Sequence, residues 1–460
     1  MYSLKTTTPV SVLLLFLLAA ACKKEQAFMD EKPASKLFIP TTVPEVQSLL
    51  DNTAVLGDAV QTSDLSADNY YLDTSVWRGL NSIDRNLHTW ARDIYEGQGS
   101  IKEWNLPYQQ ILYANTALEA LATIPAAGNE YQWNALEGAA LFIRGYSHFN
   151  VAQLFAPVYD ELTATSDLGI PLRLNTSVTD MSRRSNLHDT YAQIIADVHR
   201  SVTLLPKQPD PQHPNRPSQA AAYALLSRIC LSMRNYVQAG AWADSCLAIY
   251  NKLLDYNNVS TAATFPFTSD NPELLYNNEV LTTDLLLALV AGTTLIDSTL
   301  FRSYGLNDLR CPLFFTHNSD GQPIIRSSYS ATIYPFQGLA VDEVLLTKAE
   351  CQARLDNVNE ALNNLNTLLR NRYKKGSFTT LSASDANQAL QCILQERRKE
   401  LPFRGTRWMD IRRLNKEGAG IRLVRMQDGV TYSLEPNDRR FVLPIPPDVI
   451  ALTGMEQNPR

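Results

Sequence analysis

The sequence predicts a mostly α-helical fold, a bundle of paired helices with an irregular, loop-rich second lobe. Three observations lead there. Apolar residues recur at helical spacing through two long stretches, 104–251 and 341–413. Small residues gather where consecutive helices would cross. The stretches 52–103 and 254–339 lack that periodicity. The first is loop-like and aromatic, and the second is rich in Asn, Ser, Thr, Pro and aromatics.

The first residues read as an export signal. Lys5 is the only charge ahead of a run, 12–21, made wholly of Val, Leu, Phe and Ala. A spanning helix needs about 20 apolar residues, so this run is too short to cross a bilayer comfortably. A short apolar core behind a basic residue and ending in small residues has the form of a secretory signal. The junction Ala20-Ala21-Cys22 looks like a bacterial lipobox, in which the Cys22 thiol is acylated and becomes the first mature residue. A cleaved signal with a chance cysteine is the alternative. The expected organisation is a signal peptide over 1–21 and one mature domain over 22–460.

Residues 27–51 are punctuated by proline and turn briefly helical at 43–50. The first long helix is predicted over 104–123, ending before Pro125. The second runs over 131–155 and stops at Pro157. On it Ala139, Phe142, Tyr146 and Phe149 recur at steps of three, four and three, which marks a buried face. Further helices are expected over 187–205, 218–234, 236–251, 341–355, 357–373 and 384–400. A weak repeat links two of these pairs. One pair carries Leu226, Cys230, Tyr236, Ala239, Ala243 and Cys246, and the other carries Ala349, Val358, Ala361, Leu365 and Leu368. Turns fall at Arg234-Asn235 and Asp356-Asn357. Small residues at a crossing let two helices approach closely, as in a tetratricopeptide hairpin, and such hairpins need stacked neighbours to bury their apolar faces.

Composition excludes several classes. The formal charge of −6 falls to −7 once residues 1–21, with Lys5 their single charge, are removed. That balance offers no electrostatic footprint for nucleic acid. Cys230, Cys246, Cys311, Cys351 and Cys392 are too far apart for a CxxC-type metal motif. Most fall in helical stretches, where a buried thiol is the ordinary reading, although Cys230 and Cys246 lie on consecutive helices and could pair. The six histidines are scattered without metal spacing, and no GxSxG, P-loop or dinucleotide-binding glycine pattern occurs. No cofactor, metal or catalytic group is expected.

Several segments together resemble the SusD/RagB family. Phe28-Met29-Asp30-Glu31-Lys32-Pro33 follows the anchor. Trp104, Tyr108, Ala114-Asn115 and Leu118 match one family helix, and Gly138-Ala139, Phe142, Arg144, Tyr146, Phe149-Asn150 and Leu154-Phe155 match the next, with Gly145 where the family usually has Ala. Asn271-Pro272-Glu273, Asn307-Asp308-Leu309-Arg310, Asp342-Glu343 and Ala349-Glu350 also match. The most specific block is Glu396-Arg397-Arg398-Lys399-Glu400-Leu401 with Phe403, Gly405, Arg407-Trp408, Asp410 and Arg412-Arg413, although Arg404 replaces the usual Glu. Leu443-Pro444-Ile445-Pro446 and Gln457-Asn458-Pro459 complete the pattern, without the family's aromatic end.

The resemblance implies a non-catalytic lipoprotein, anchored through Cys22 in the outer membrane and facing the cell exterior. It would capture an oligosaccharide or similar polymer fragment and pass it to a SusC-like TonB-dependent transporter. A peptide-capturing member of the same family, a hydrolase and a helical-repeat scaffold for protein partners are the rival readings. Family members that bind glycans draw exposed aromatics and short polar groups from two zones. Here those zones supply Asp68, Asn69, Tyr70, Trp77, Arg78 and Trp90, and then Tyr304 and Phe314. Aromatic faces suit sugar CH patches and fixed polar groups select hydroxyls. Each ring has an alternative role as core. The block from Glu396 to Arg413 is expected to be structural, its charges paired at helical spacing and Trp408 buried.

Overall fold

The structure, a computed structural model, describes residues 39–126, 128–177, 179–281, 291–326 and 328–460. The expected signal peptide and Cys22 lie outside the described residues. A short helix, α1 (Val43–Leu50), opens with a capping box in which Thr42 and Glu45 satisfy each other's backbone N–H groups. Among the short helices that follow it, α2 (Thr74–Gly79) and α3 (Ser82–His88) lie closest in sequence to the long helices.

The bundle is a run of helices in which each packs on the next. Its members are α4 (Lys102–Thr123), α5 (Glu130–Phe155), α6 (Leu187–Leu204), α7 (Gln219–Ser232), α8 (Tyr236–Ile249), α9 (Val341–Arg354), α10 (Val358–Arg370) and α11 (Ala386–Glu400). A further helix, α12 (Arg407–Lys416), and a short one near the carboxyl terminus, α13 (Pro447–Thr453), follow. Phe142, Tyr146 and Phe149 of α5 are buried as the spacing predicts, and Ala139 is half-buried. In fact α5 is apolar around most of its circumference, because α1, α4 and α6 all lie against it.

Close approach explains the small residues. A Cβ on Gly145 would lie 2.5 Å from Val198 Cγ2, and one on Gly138 would lie 2.9 Å from Leu204 Cβ, so α5 and α6 meet almost backbone to backbone. The repeat between α7–α8 and α9–α10 extends to the turn. Arg234 (φ 63°) and Asp356 (φ 64°) both adopt the left-handed conformation. Behind them Asn235 N–H donates to the Cys230 carbonyl and Asn357 N–H to that of Gln352, each at 2.9 Å. Cys230 and Cys246 are both buried, free thiols and do not pair.

The irregular stretches form strands where periodicity shows none. The strands β1 (Tyr70–Leu72), β2 (Thr294–Ile296), β3 (Phe315–His317) and β4 (Pro323–Ile325) make one sheet in the order β1-β2-β4-β3. A separate hairpin joins β5 (Leu423–Gln427) to β6 (Val430–Leu434). Its turn is Asp428-Gly429 with φ of 54° and 74°, the sign that this tight connection requires.

A seam of buried ion pairs ties these parts together. Arg310 meets Asp308 (2.6 Å), Glu396 (2.6 Å) and Glu400 (3.0 Å), and Arg372 meets Glu400 (2.6 Å) and Glu273 (2.8 Å). Arg397 pairs with Asp410 (2.8 Å), Arg413 with Glu350 (2.6 Å) and Arg404 with Asp342 (3.0 Å). The block is structural, with Trp408 only 1% exposed. Its strongest pairs run between elements, whereas helical spacing alone suggests pairs within one helix; only Glu396–Lys399 and Asp410–Arg413 are of that kind.

Candidate functional site

The two zones that the sequence keeps more than 200 residues apart meet in the four-stranded sheet. Tyr71 of β1 lies opposite Leu295, Leu295 opposite Ile324, and Ile324 opposite Thr316. Side chains alternate across a strand, so Tyr71 turns outward while Tyr70 and Leu72 turn into the core. Tyr71 is 40% exposed.

The named candidates divide by exposure. Trp77 on α2 is half-buried, its indole N–H held by the Arg85 carbonyl at 3.2 Å. Arg78 beside it is exposed and pairs with Asp428 at the hairpin turn. Tyr71 on β1 and these two on the following helix α2 each keep part of the side chain exposed.

Trp90 lies in the core. It is 3% exposed, its N–H donates to the Ser66 carbonyl (3.0 Å), and its backbone takes the left-handed conformation as α3 ends. A bulky side chain rarely adopts that conformation; burial of the ring stabilises it here. Tyr70 is also buried, donating to the Leu65 carbonyl (2.7 Å) and lying 3.0 Å from His88 Nδ1. Phe314 sits among Tyr256 and Phe267. Tyr304 is half-buried and donates to the Lys399 carbonyl at 2.6 Å, so its hydroxyl is taken by the ionic seam. Asn69 is 2% exposed, and its carbonyl accepts from Asp297 N–H.

Asp68 is an ion-pair partner. Arg407 grips its two oxygens at 2.7 and 2.8 Å and Arg398 approaches at 3.4 Å. Burial would raise this carboxyl, but the hydrogen bonds and charge of Arg407, with Arg398 behind it, hold it at about 2. Asp64, four residues earlier, shows the opposite balance. Burial dominates there and lifts the carboxyl to about 7, because Gly405 N–H and the Gln337 amide are its bonded partners and neither is a cation. Next to Asp68 opens a cleft of about 340 Å³ with largely apolar walls, Leu300, Leu394, Leu414 and Ile421, into which Thr299, Ser303, Gln395, Arg398 and Arg407 bring polar groups.

The sequence reading missed the hairpin that backs this surface. On β5 the side chains alternate, with Leu423, Arg425 and Gln427 inward and Val424 and Met426 outward. Arg425 lies 4.9 Å from the Tyr70 ring and 4.8 Å from the Trp90 ring, and donates to the carbonyls of Leu65, Ala67 and His88. Gln427 meets His88 at 3.1 Å and the Leu72 carbonyl at 3.0 Å. Burial, then the charge of Arg425, depresses the His88 pKa and keeps the ring neutral. The Asp428-Gly429 pair between two alternating runs was the available signal.

The adjacent acids at the start of α9 are both paired, Asp342 with Arg404 (3.0 Å) and Glu343 with Arg228 (2.5 Å). Among the described residues no cluster of His, Cys, Asp and Glu could hold a metal ion, and no helix is long and apolar enough to cross a membrane.

Comparison with known proteins adds the following. Residues 27–231 match a family described as starch-binding and associating with the outer membrane, and residues 340–460 match the SusD family. No curated protein matches the chain. Solved structures do. A SusD superfamily protein of Bacteroides vulgatus shares 22% identity at a TM-score of 0.74, over 91% of this chain and 99% of that one. A SusD-like carbohydrate-binding protein of the same organism shares 19% at 0.69, over 90% and 97%. Surface glycan-binding protein A of Bacteroides uniformis shares 15% at 0.68, over 90% and 98%. At these identities the likeness is one of fold.

Proposed function

The chain belongs to the SusD/RagB family, and from that premise we propose that it is a non-catalytic surface lipoprotein that captures an oligosaccharide. In this reading Cys22 carries the lipid anchor and a SusC-like TonB-dependent transporter receives the ligand. The observation that carries the proposal is the exposure of Tyr71, on an edge strand of the sheet that joins both irregular zones, with the partly exposed Trp77 and Arg78 on the helix that follows. A half-exposed ring held by its own N–H is an ordered platform for a sugar face, and ordering it in advance lowers the entropy lost on binding. The cleft beside Asp68 adds polar groups from Thr299, Ser303 and Gln395 among apolar walls. Of the eight ligand candidates, the proposal keeps Trp77 and Arg78 as contacts and Asp68 as a positioning residue, and adds Tyr71.

The test pairs two tryptophans. Trp77→Ala should weaken binding in a glycan titration by about 1–3 kcal/mol with the fold intact. Trp90→Ala should cost about 3–5 kcal/mol of stability, as a large core truncation does. Glycan affinity unchanged in Trp77→Ala would move the site elsewhere. Binding only to peptide pools would favour the peptide-capturing alternative.

A further inference from the structure

A second cleft, of about 250 Å³, opens between α5, α1 and the loop that joins α6 to α7. It shares no residue with the surface described above. Tyr131, Ala135, Ala139 and Ile143 fall at every fourth residue and make one row along α5. Ile143 is buried, whereas Tyr131 is 75% exposed, the most exposed aromatic side chain among the described residues. The two alanines between them are half-buried and leave a trough, walled on its other sides by Leu50 of α1 and by Pro206 and Pro217 of the loop.

The charged groups around this trough are engaged with one another. Asp51 accepts from Arg216 at 2.9 and 2.6 Å and from the Gln47 amide at 2.9 Å. Asp210 accepts from the Gln212 N–H at 2.9 Å and lies 2.8 Å from His213 Nδ1. The lining holds two acids and one cation, and that cation is gripped by an acid, so an anion meets no open counter-charge and a cation no open carboxylate. The side chains of Tyr131, Gln132 and Gln208 differ: all three are exposed and have no hydrogen-bond or ring partner among the described residues. An amide and a phenol each donate and accept, as a sugar hydroxyl does. An exposed ring beside small apolar residues offers a flat face to sugar C–H groups. The combination selects an uncharged, hydroxyl-rich ligand.

Resting on the oligosaccharide reading above, we infer that this cleft is a second subsite for a neutral glycan, with Tyr131 as its stacking ring and Gln132 and Gln208 as its hydroxyl partners. Two separate contacts on one polymer raise its retention without a stronger contact at either. Calorimetric titration of the whole protein with neutral hexasaccharides of glucose, mannose, galactose and xylose, with hexagalacturonate and with an uncharged apolar hexapeptide tests this. In Trp77→Ala at least one neutral hexasaccharide should still bind. Adding Tyr131→Ala, or Ala135→Trp to fill the trough, should weaken that remaining binding tenfold or more. Hexagalacturonate should bind there at least tenfold more weakly than the neutral glycan. Neutral-glycan binding that is lost entirely in Trp77→Ala, or that neither added substitution changes in a folded protein, overturns the inference and leaves the oligosaccharide reading standing. Tighter binding of hexagalacturonate or of the peptide, abolished by Tyr131→Ala, also overturns it. No binding of any neutral hexasaccharide to the unaltered protein overturns both readings.

Discussion

Two buried arginine sites hold their charge by different means. Arg372 lies between the carboxylates of Glu273 and Glu400, with Arg310 and its three acids alongside. Arg425 has no carboxylate bonded to it. Backbone carbonyls and two aromatic rings surround it. The first site is a joint between lobes, in which removing one member strands several opposite charges. The second is a local brace that organises the core behind the candidate surface. Burial of a charge therefore says little by itself about what the charge does; its partners decide.

The same substitution at both sites sharpens the contrast. Arg372→Met leaves Glu273 and Glu400 buried without their shared cation, and should cost about 3–5 kcal/mol of stability in denaturant unfolding. Arg425→Met removes a charge whose loss strands only neutral carbonyls, and should cost about 1–3 kcal/mol. Equal losses would mean that partner type does not matter here. The smallest effect is expected at Asp68. Its folded pKa of about 2 lies below the ordinary aspartate value of 3.8, so its contribution is present above about pH 4 and disappears as pH falls toward 2. Asp68→Asn should remove on the order of 1–2 kcal/mol of stability at neutral pH and flatten that part of the acid limb, as melting temperatures across pH 2–5 would show.

The helical part of this fold is legible because its signals are local. Apolar spacing on α5, small residues at the crossings, and the paired turns at Arg234 and Asp356 all lie within one or two helices of what they determine. The block from Glu396 to Arg413 announces ion pairs for the same reason, by its density of charge. Its partners Glu273, Arg310 and Arg372 stand in or beside irregular stretches, where no periodicity points to them. The candidate surface was less legible. Whether Trp77 or Trp90 faces solvent is set by a hairpin more than 300 residues later, which places Arg425 against the Trp90 ring. The Asp428-Gly429 turn was readable in itself, but its docking site was not.

The ionic seam has a kinetic consequence. Its contacts span long loops: Arg310 to Glu396 crosses 86 residues, Arg310 to Glu400 crosses 90, and Arg372 to Glu273 crosses 99. The helix pairs close over short turns, so their contacts form at little entropic cost, whereas the seam must wait until distant segments have been brought together. Contacts made after the rate-limiting step act as a latch: they slow escape from the native state without speeding arrival. On this argument the buried charges govern how long the protein stays folded more than how quickly it folds.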